Sequence, residues 1–107
     1  MTRRLIRRRS FQREGRLIPR RARGLRAASV SLAPGQTMAW HSTGAREELL
    51  IALRGMVQLE TRRSSLRCQR VVLKAGQCAF LPRQTPHRLI NRSNMTARYL
   101  YVTGDAT

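Results

Sequence analysis

The stretch GQTMAWHSTGAREELLIALRG, residues 35–55, decides the fold. Pro34-Gly35 turns the chain, and the residues that follow alternate. Thr37, Ala39, His41 and Thr43 share one face, with Met38 and Trp40 on the other. A period of two is the signature of a strand. Residues 48–53 are apolar on both faces, which predicts a strand covered on both sides. A loop containing Gly44 joins the two strands, so the returning chain can bring Glu48 opposite His41. Gly55 breaks the second strand.

Working outward, the same alternation recurs. Val30 and Leu32 alternate with serines before Pro34. Val57, Leu59 and Thr61 alternate with Met56, Gln58 and Glu60, and residues 62–65 form a polar turn. Strands are predicted at 66–73, 77–81, 87–91 and 97–103, with Pro82 and the polar run 91–94 between them. About eight short strands and no convincing helix indicate an all-β sandwich or barrel. The chain of 107 residues makes one domain with a small core.

Residues 1–28 differ in composition, with 11 arginines against the single acid Glu14. Like charge at this density repels, so residues 1–27 are expected to form an arm that is mobile or packed on a partner subunit, and residues 28–107 the barrel. The run from Thr2 to Arg7 superficially matches a twin-arginine export signal, but no apolar stretch follows it. No segment approaches the ~20 apolar residues of a membrane span, so no membrane role is expected. Cys68 and Cys78 make no disulfide framework and read as small, half-buried thiols, which points to a cytoplasmic location. Beyond the arm, the excess of arginine over the single Lys74 has the look of codon bias. Within it, residues 3–26 suit sequence-independent contact with nucleic acid.

The chain has two histidines, and each sits in a spaced pattern. One pattern is Gly35, five residues, His41, one residue, Thr43, four residues, Glu48, six residues, Gly55. The other is Gly76, five residues, Pro82, four residues, His87, three residues, Asn91. Two imidazoles and a carboxylate can hold a catalytic transition metal with positions left open. These patterns resemble the two motifs of the cupin superfamily, in its small single-domain form. Eight of the ten fixed positions match in order and spacing, and the wider resemblance covers residues 28–103. It departs at Thr43, where the family usually has a second histidine, and at Gln84, where it usually has glycine.

The resemblance implies a double-stranded β-helix, or jelly-roll barrel, carrying a metal on His41, Glu48 and His87. Thr43 would stand at the fourth position or just behind it, holding a water or an anion through its hydroxyl. Fe or Mn is favoured for such a ligand set, with Ni, Cu and Zn also admitted. Glu47 is expected to face away from Glu48, as a rim or interface residue. Candidates for the cavity wall are Leu50, Gln58, Cys78, Phe80, Tyr99 and Tyr101, together with Ala52 and Leu89, and Arg46, Arg83 and Arg88 are placed at the mouth. The implied function is a dioxygenase-type oxidoreductase acting on a small molecule; the alternative is a ligand-binding or sensing cupin without catalysis. The apolar faces opposite Glu48 and His41 predict a homodimer.

Overall fold

A computed structural model describes residues 6–64 and 67–105. Residues 2–5 of the arginine-rich start, and residues 65–66 between the turn and its following strand, lie outside the described residues. Nine strands run in chain order: β1 Gly15–Arg16, β2 Leu25–Leu32, β3 Thr37–Ser42, β4 Arg46–Arg54, β5 Met56–Ser64, β6 Arg67–Lys74, β7 Cys78–Leu81, β8 Pro86–Ile90 and β9 Ala97–Asp105. Among the described residues there is no helix, and hence none long and apolar enough to cross a membrane. A five-stranded sheet, β1-β2-β9-β4-β7, faces a four-stranded sheet, β3-β8-β5-β6, and every pairing is antiparallel. This is the jelly-roll arrangement.

The pleat assigns the core. In β4, Glu48, Leu50 and Ala52 are buried, while Glu47 and Arg54 are exposed and Leu49, Ile51 and Leu53 are half-buried on the outer face. Opposed residues of an antiparallel pair share a face. Leu50 therefore stands in one row with Tyr101 and Ala79, and Ala52 with Tyr99. From the other sheet Val57, Leu59 and Leu89 close the core. Burying each such aliphatic side chain stabilises the fold by roughly 1.5–3 kcal/mol relative to leaving it in water.

Two motif residues have structural roles. Gly55 is where the chain leaves one sheet for the other, at φ 68°. A Cβ there would stand 3.1 Å from the Thr96 carbonyl oxygen and 3.3 Å from the Ala97 Cα. Asn91 is completely buried and ties three segments together. Its amide donates to the carbonyls of Leu32 and Met95, at 2.9 and 2.7 Å, and its oxygen accepts from the Ser93 backbone and hydroxyl.

The arm is partly built into the barrel. β2 begins at Leu25, inside the segment expected as arm, and β1 adds to the sheet edge through Gly15↔Ser29 and Arg16↔Ala28. The Phe11 carbonyl accepts from Ser29 Oγ, Glu14 accepts from the Ser31 amide, and the Leu17 amide donates to Ala27. That cover explains why Ala27 and Ser29 are buried although their neighbours Arg26, Ala28 and Val30 occupy the inward rows with Thr103, Tyr101 and Tyr99. The two cysteines are free and exposed, not half-buried.

Candidate functional site

β3 and β8 are paired so that His41 and His87 are direct partners. Their ring centroids are 4.2 Å apart and their planes are tilted by 59°. β8 is an inner strand and His87 is completely buried, whereas β3 is an edge strand and His41 is exposed. Glu48 arrives from the opposite sheet, and its Oε2 lies 3.3 Å from His87 Nε2.

Both imidazoles are held in the same way. His87 Nδ1 lies 3.0 Å from the Thr85 carbonyl, and His41 Nδ1 lies 2.9 Å from the Ala39 carbonyl. A carbonyl only accepts, so the hydrogen bonds place a proton on Nδ1, and Nε2 is the nitrogen whose lone pair is available when the ring is neutral. His87 Nε2 is buried; its one polar contact, Glu48 Oε2 at 3.3 Å, lacks hydrogen-bond geometry and is an ion pair only when the ring is protonated. A buried polar atom without a partner calls for an explanation such as an ion or a water. Burial opposes charging of His87, but the Glu48 carboxylate and the Thr85 carbonyl outweigh it and raise the imidazole's pKa above its ordinary value.

Thr43 is not a free fourth position. Its hydroxyl donates to the Pro82 carbonyl at 2.8 Å and accepts from the Thr85 amide at 3.0 Å, while its own amide donates to the Thr85 carbonyl. The Gln84 amide adds a 2.7 Å bond to the Gly44 carbonyl. Thr43 thus fastens the 82–85 loop, and Thr85 in that loop orients His87. Gln84 sits at φ 59°, so the backbone keeps the left-handed turn for which the family usually supplies glycine.

Beside these residues is a cavity of about 320 Å³, whose wall includes His41, Glu48, Leu50, Tyr99 and Tyr101. Burial, the neighbouring Glu48 charge and Tyr101 push the Tyr99 phenol up, so it remains a protonated donor. Four of the expected wall residues lie elsewhere, Ala52 in the hydrophobic core and three on outer faces. Gln58 is on the outer face of its sheet, where it donates to Glu60, because Val57 and Leu59 take the inward parity of β5. Cys78 and Phe80 are exposed on the outer face, opposed to Ile51 and Leu49, since Ala79 and Leu81 point inward. Arg88 also faces out, clamping the buried Glu60 at 3.0–3.3 Å and lying over Trp40, away from the mouth.

Met38 faces the same cavity as His41, against the simple alternation of β3. A bulge between Met38 and His41 puts three steps of β3 against two of β8 and reverses the parity. No residue in the segment advertises that bulge. Arg26, Arg46 and Thr103 also line the cavity. The signal for Arg26 was its even spacing from Ala28 and Val30, obscured by the arginines around it.

His87 is therefore in contact with both His41 and Glu48. Among the described residues, however, no three His, Cys, Asp or Glu side chains are gathered as a ready-made metal cage. The donor set still suits a transition metal: two lone-pair nitrogens fixed by carbonyls behind them, one of them buried without a partner, beside a buried carboxylate.

The comparisons with known proteins agree with this architecture. A family model described as a cupin domain matches residues 28–103. No curated protein matches the chain significantly. Among solved structures, a Cupin 2 conserved barrel domain protein from Salinispora arenicola is 24% identical, with TM-score 0.71, covering 88% of this chain and 76% of that one. A protein from Thermus thermophilus, TT1209, is 23% identical with TM-score 0.71, covering 88% and 85%. An oxalate oxidase is 22% identical, also with TM-score 0.71; 77% of this chain is covered but only 42% of that protein. The chain thus spans less than half of the oxalate oxidase, and these likenesses establish the fold alone. With a family match over most of the chain and the jelly-roll topology beneath it, the protein belongs to the cupin domain family.

Proposed function

We propose that this cupin holds a divalent transition metal, Fe or Mn in preference, on His41, Glu48 and His87 and acts as a dioxygenase-type oxidoreductase on a small organic molecule. The observation that carries the proposal is His87 Nε2, buried and without a hydrogen bond beside the Glu48 carboxylate. When bound, such a metal supplies Lewis-acid and one-electron chemistry. The chain's own residues do the rest. Ala39 and Thr85 fix the imidazole tautomers, and Thr43 holds the loop that carries Thr85. Met38, Leu50 and Leu89 form an apolar wall that limits water, and the Tyr99 phenol is a donor for a ligand oxygen. The outer face of the five-stranded sheet, with Leu49 and Ile51 half-buried and Phe80 59% exposed, supports a second copy of the chain as its cover.

A second reading, binding or sensing without turnover, is favoured by the exposure of His41 and the absence of a closed cage among the described residues. Oxygen uptake separates the two. Iron-loaded protein incubated with panels of enols and phenols should consume oxygen with at least one of them and release an oxygenated product, and His87→Ala should abolish it. Ligand binding with no uptake on any panel member would leave the sensing role.

A further inference from the structure

We propose that Arg26 is the anchor for an anionic group of the ligand, and that the arm forms a basic entrance to the cavity, so that the ligand is a small carboxylic acid. The register places Arg26, Thr103 and Glu48 in one inward row across β2, β9 and β4. Two strand spacings, about 10 Å, separate the backbones of Arg26 and Glu48. A molecule of a few carbons can span that gap with its carboxylate on the guanidinium and its other end at His41 and Glu48. A cavity of about 320 Å³ is at the small end for ligand sites and fits a molecule of that size.

A second cavity, of about 640 Å³, lies between the arm and β2. Arg26 and Tyr101 line both cavities, so the two adjoin at these residues. Arg16 and Arg20 also line the second one, and no acidic residue does. The arm segment is held in place there by the β1–β2 pairing and the Leu17–Ala27 hydrogen bond. Clefts lined by one sign of charge concentrate ligands of the other.

The other arginine of the ligand cavity is already engaged. Arg46, which also faces the cavity, donates to Thr103 and pairs with Asp105 at 3.1 Å, and Arg88 is committed to Glu60. Among the described residues no carboxylate lies within ion-pair distance of Arg26. Most arm arginines are solvated charges. Arg26 is exposed as they are, but differs in its inward row and its place at the junction of two cavities. A guanidinium receives a carboxylate through two parallel hydrogen bonds, which selects it over a neutral amide.

The assignment rests on the cavity being the ligand site of the proposed function. Its test is calorimetric titration of the full chain, at low salt, with malonate, succinate and glutarate, their diamides and inorganic phosphate, with metal content measured on the same samples. At least one diacid should bind, its diamide about tenfold or more weaker. Arg26→Gln should lose about tenfold while keeping its metal, and Arg26→Lys should recover part of the loss. The exposed Arg54→Gln should change nothing. No binding by any diacid, equal binding of acid and amide, phosphate binding as tight as the best diacid, or indifference to Arg26→Gln would each overturn the assignment. Acid binding that needs Arg26 in protein that never takes up metal would instead reject the metal proposal and leave the anion anchor standing.

Discussion

At the residue scale, the two departures from the family motifs turn out to be linked through one loop. Gln84 holds a left-handed conformation that costs an L-residue roughly 1–2 kcal/mol, partly offset by the lower chain entropy of a non-glycine residue. Gln84→Gly is therefore expected to stabilise the protein by about 0.5–1 kcal/mol, read as a rise in Tm of several degrees for a domain of this size. Thr43 pins the same loop with its hydroxyl. Thr43→Val should cost about 1 kcal/mol, because the part-buried Thr85 amide and the Pro82 carbonyl lose a partner. It should also weaken metal binding by about tenfold through Thr85 and His87, and Thr43→Ser should preserve both. The motif positions were legible in the sequence because each demands a particular residue at a particular spacing. The role of Thr43 was not, since its partners at 82 and 85 are some forty positions away and only the folded loop brings them near.

At the element scale, strand parity decides which side chains line the cavity. Glu48, Leu50, Tyr99 and Tyr101 face the cavity because they fall in the inward rows of β4 and β9. Where the expected wall runs against parity, at Gln58, Cys78 and Phe80, the side chains point out. The β3 bulge is the opposite case, a break in parity that left Met38 on the unexpected side. The four-stranded sheet also carries a cluster on its outer face that hydropathy could not show. Glu60, 3% exposed, is covered by Arg88, and Arg88 and Arg62 flank Trp40 at 5.1 and 4.2 Å. Burial opposes ionisation of Glu60, but hydrogen bonds from Arg88 and Gln58 and the charges of Arg88 and Arg70 outweigh it, so its pKa is lowered. Because the folded pKa lies below the unfolded value near 4.5, the contribution is complete above that pH and is lost as pH falls through the folded pKa. Glu60→Gln should thus destabilise the protein by about 2 kcal/mol at neutral pH. In denaturant titrations the gap from the parent should narrow toward pH 3.

At the scale of the whole molecule, the barrel was readable because its strands are short, evenly spaced and punctuated by glycine and proline. The arm was not, because a run of like charge gives no period from which Gly15–Arg16 or the start of β2 could be inferred. Gly55 shows how tightly the two sheets are joined: Gly55→Ala should cost about 1–3 kcal/mol, from a strained φ and a close approach to Thr96 and Ala97. Joining the sheets also puts Glu48 against His87, and this contact predicts opposite pH trends with and without metal. In the metal-free protein the raised His87 pKa gives a contribution that is complete below the unfolded value near 6.5 and fades as pH rises through the folded pKa. With metal the trend reverses, because the ligand must be the neutral imidazole and the proton competes. Thermal melts across that range with and without manganese should therefore diverge as pH rises. The central claim is tested most directly by elemental analysis of protein purified without added metal, alongside His41→Ala, Glu48→Gln and His87→Ala. The expected result is close to about one equivalent of a transition metal in the parent and a loss to below about a tenth in His87→Ala. Less than about a tenth in the parent, or a content indifferent to all three substitutions, would contradict it.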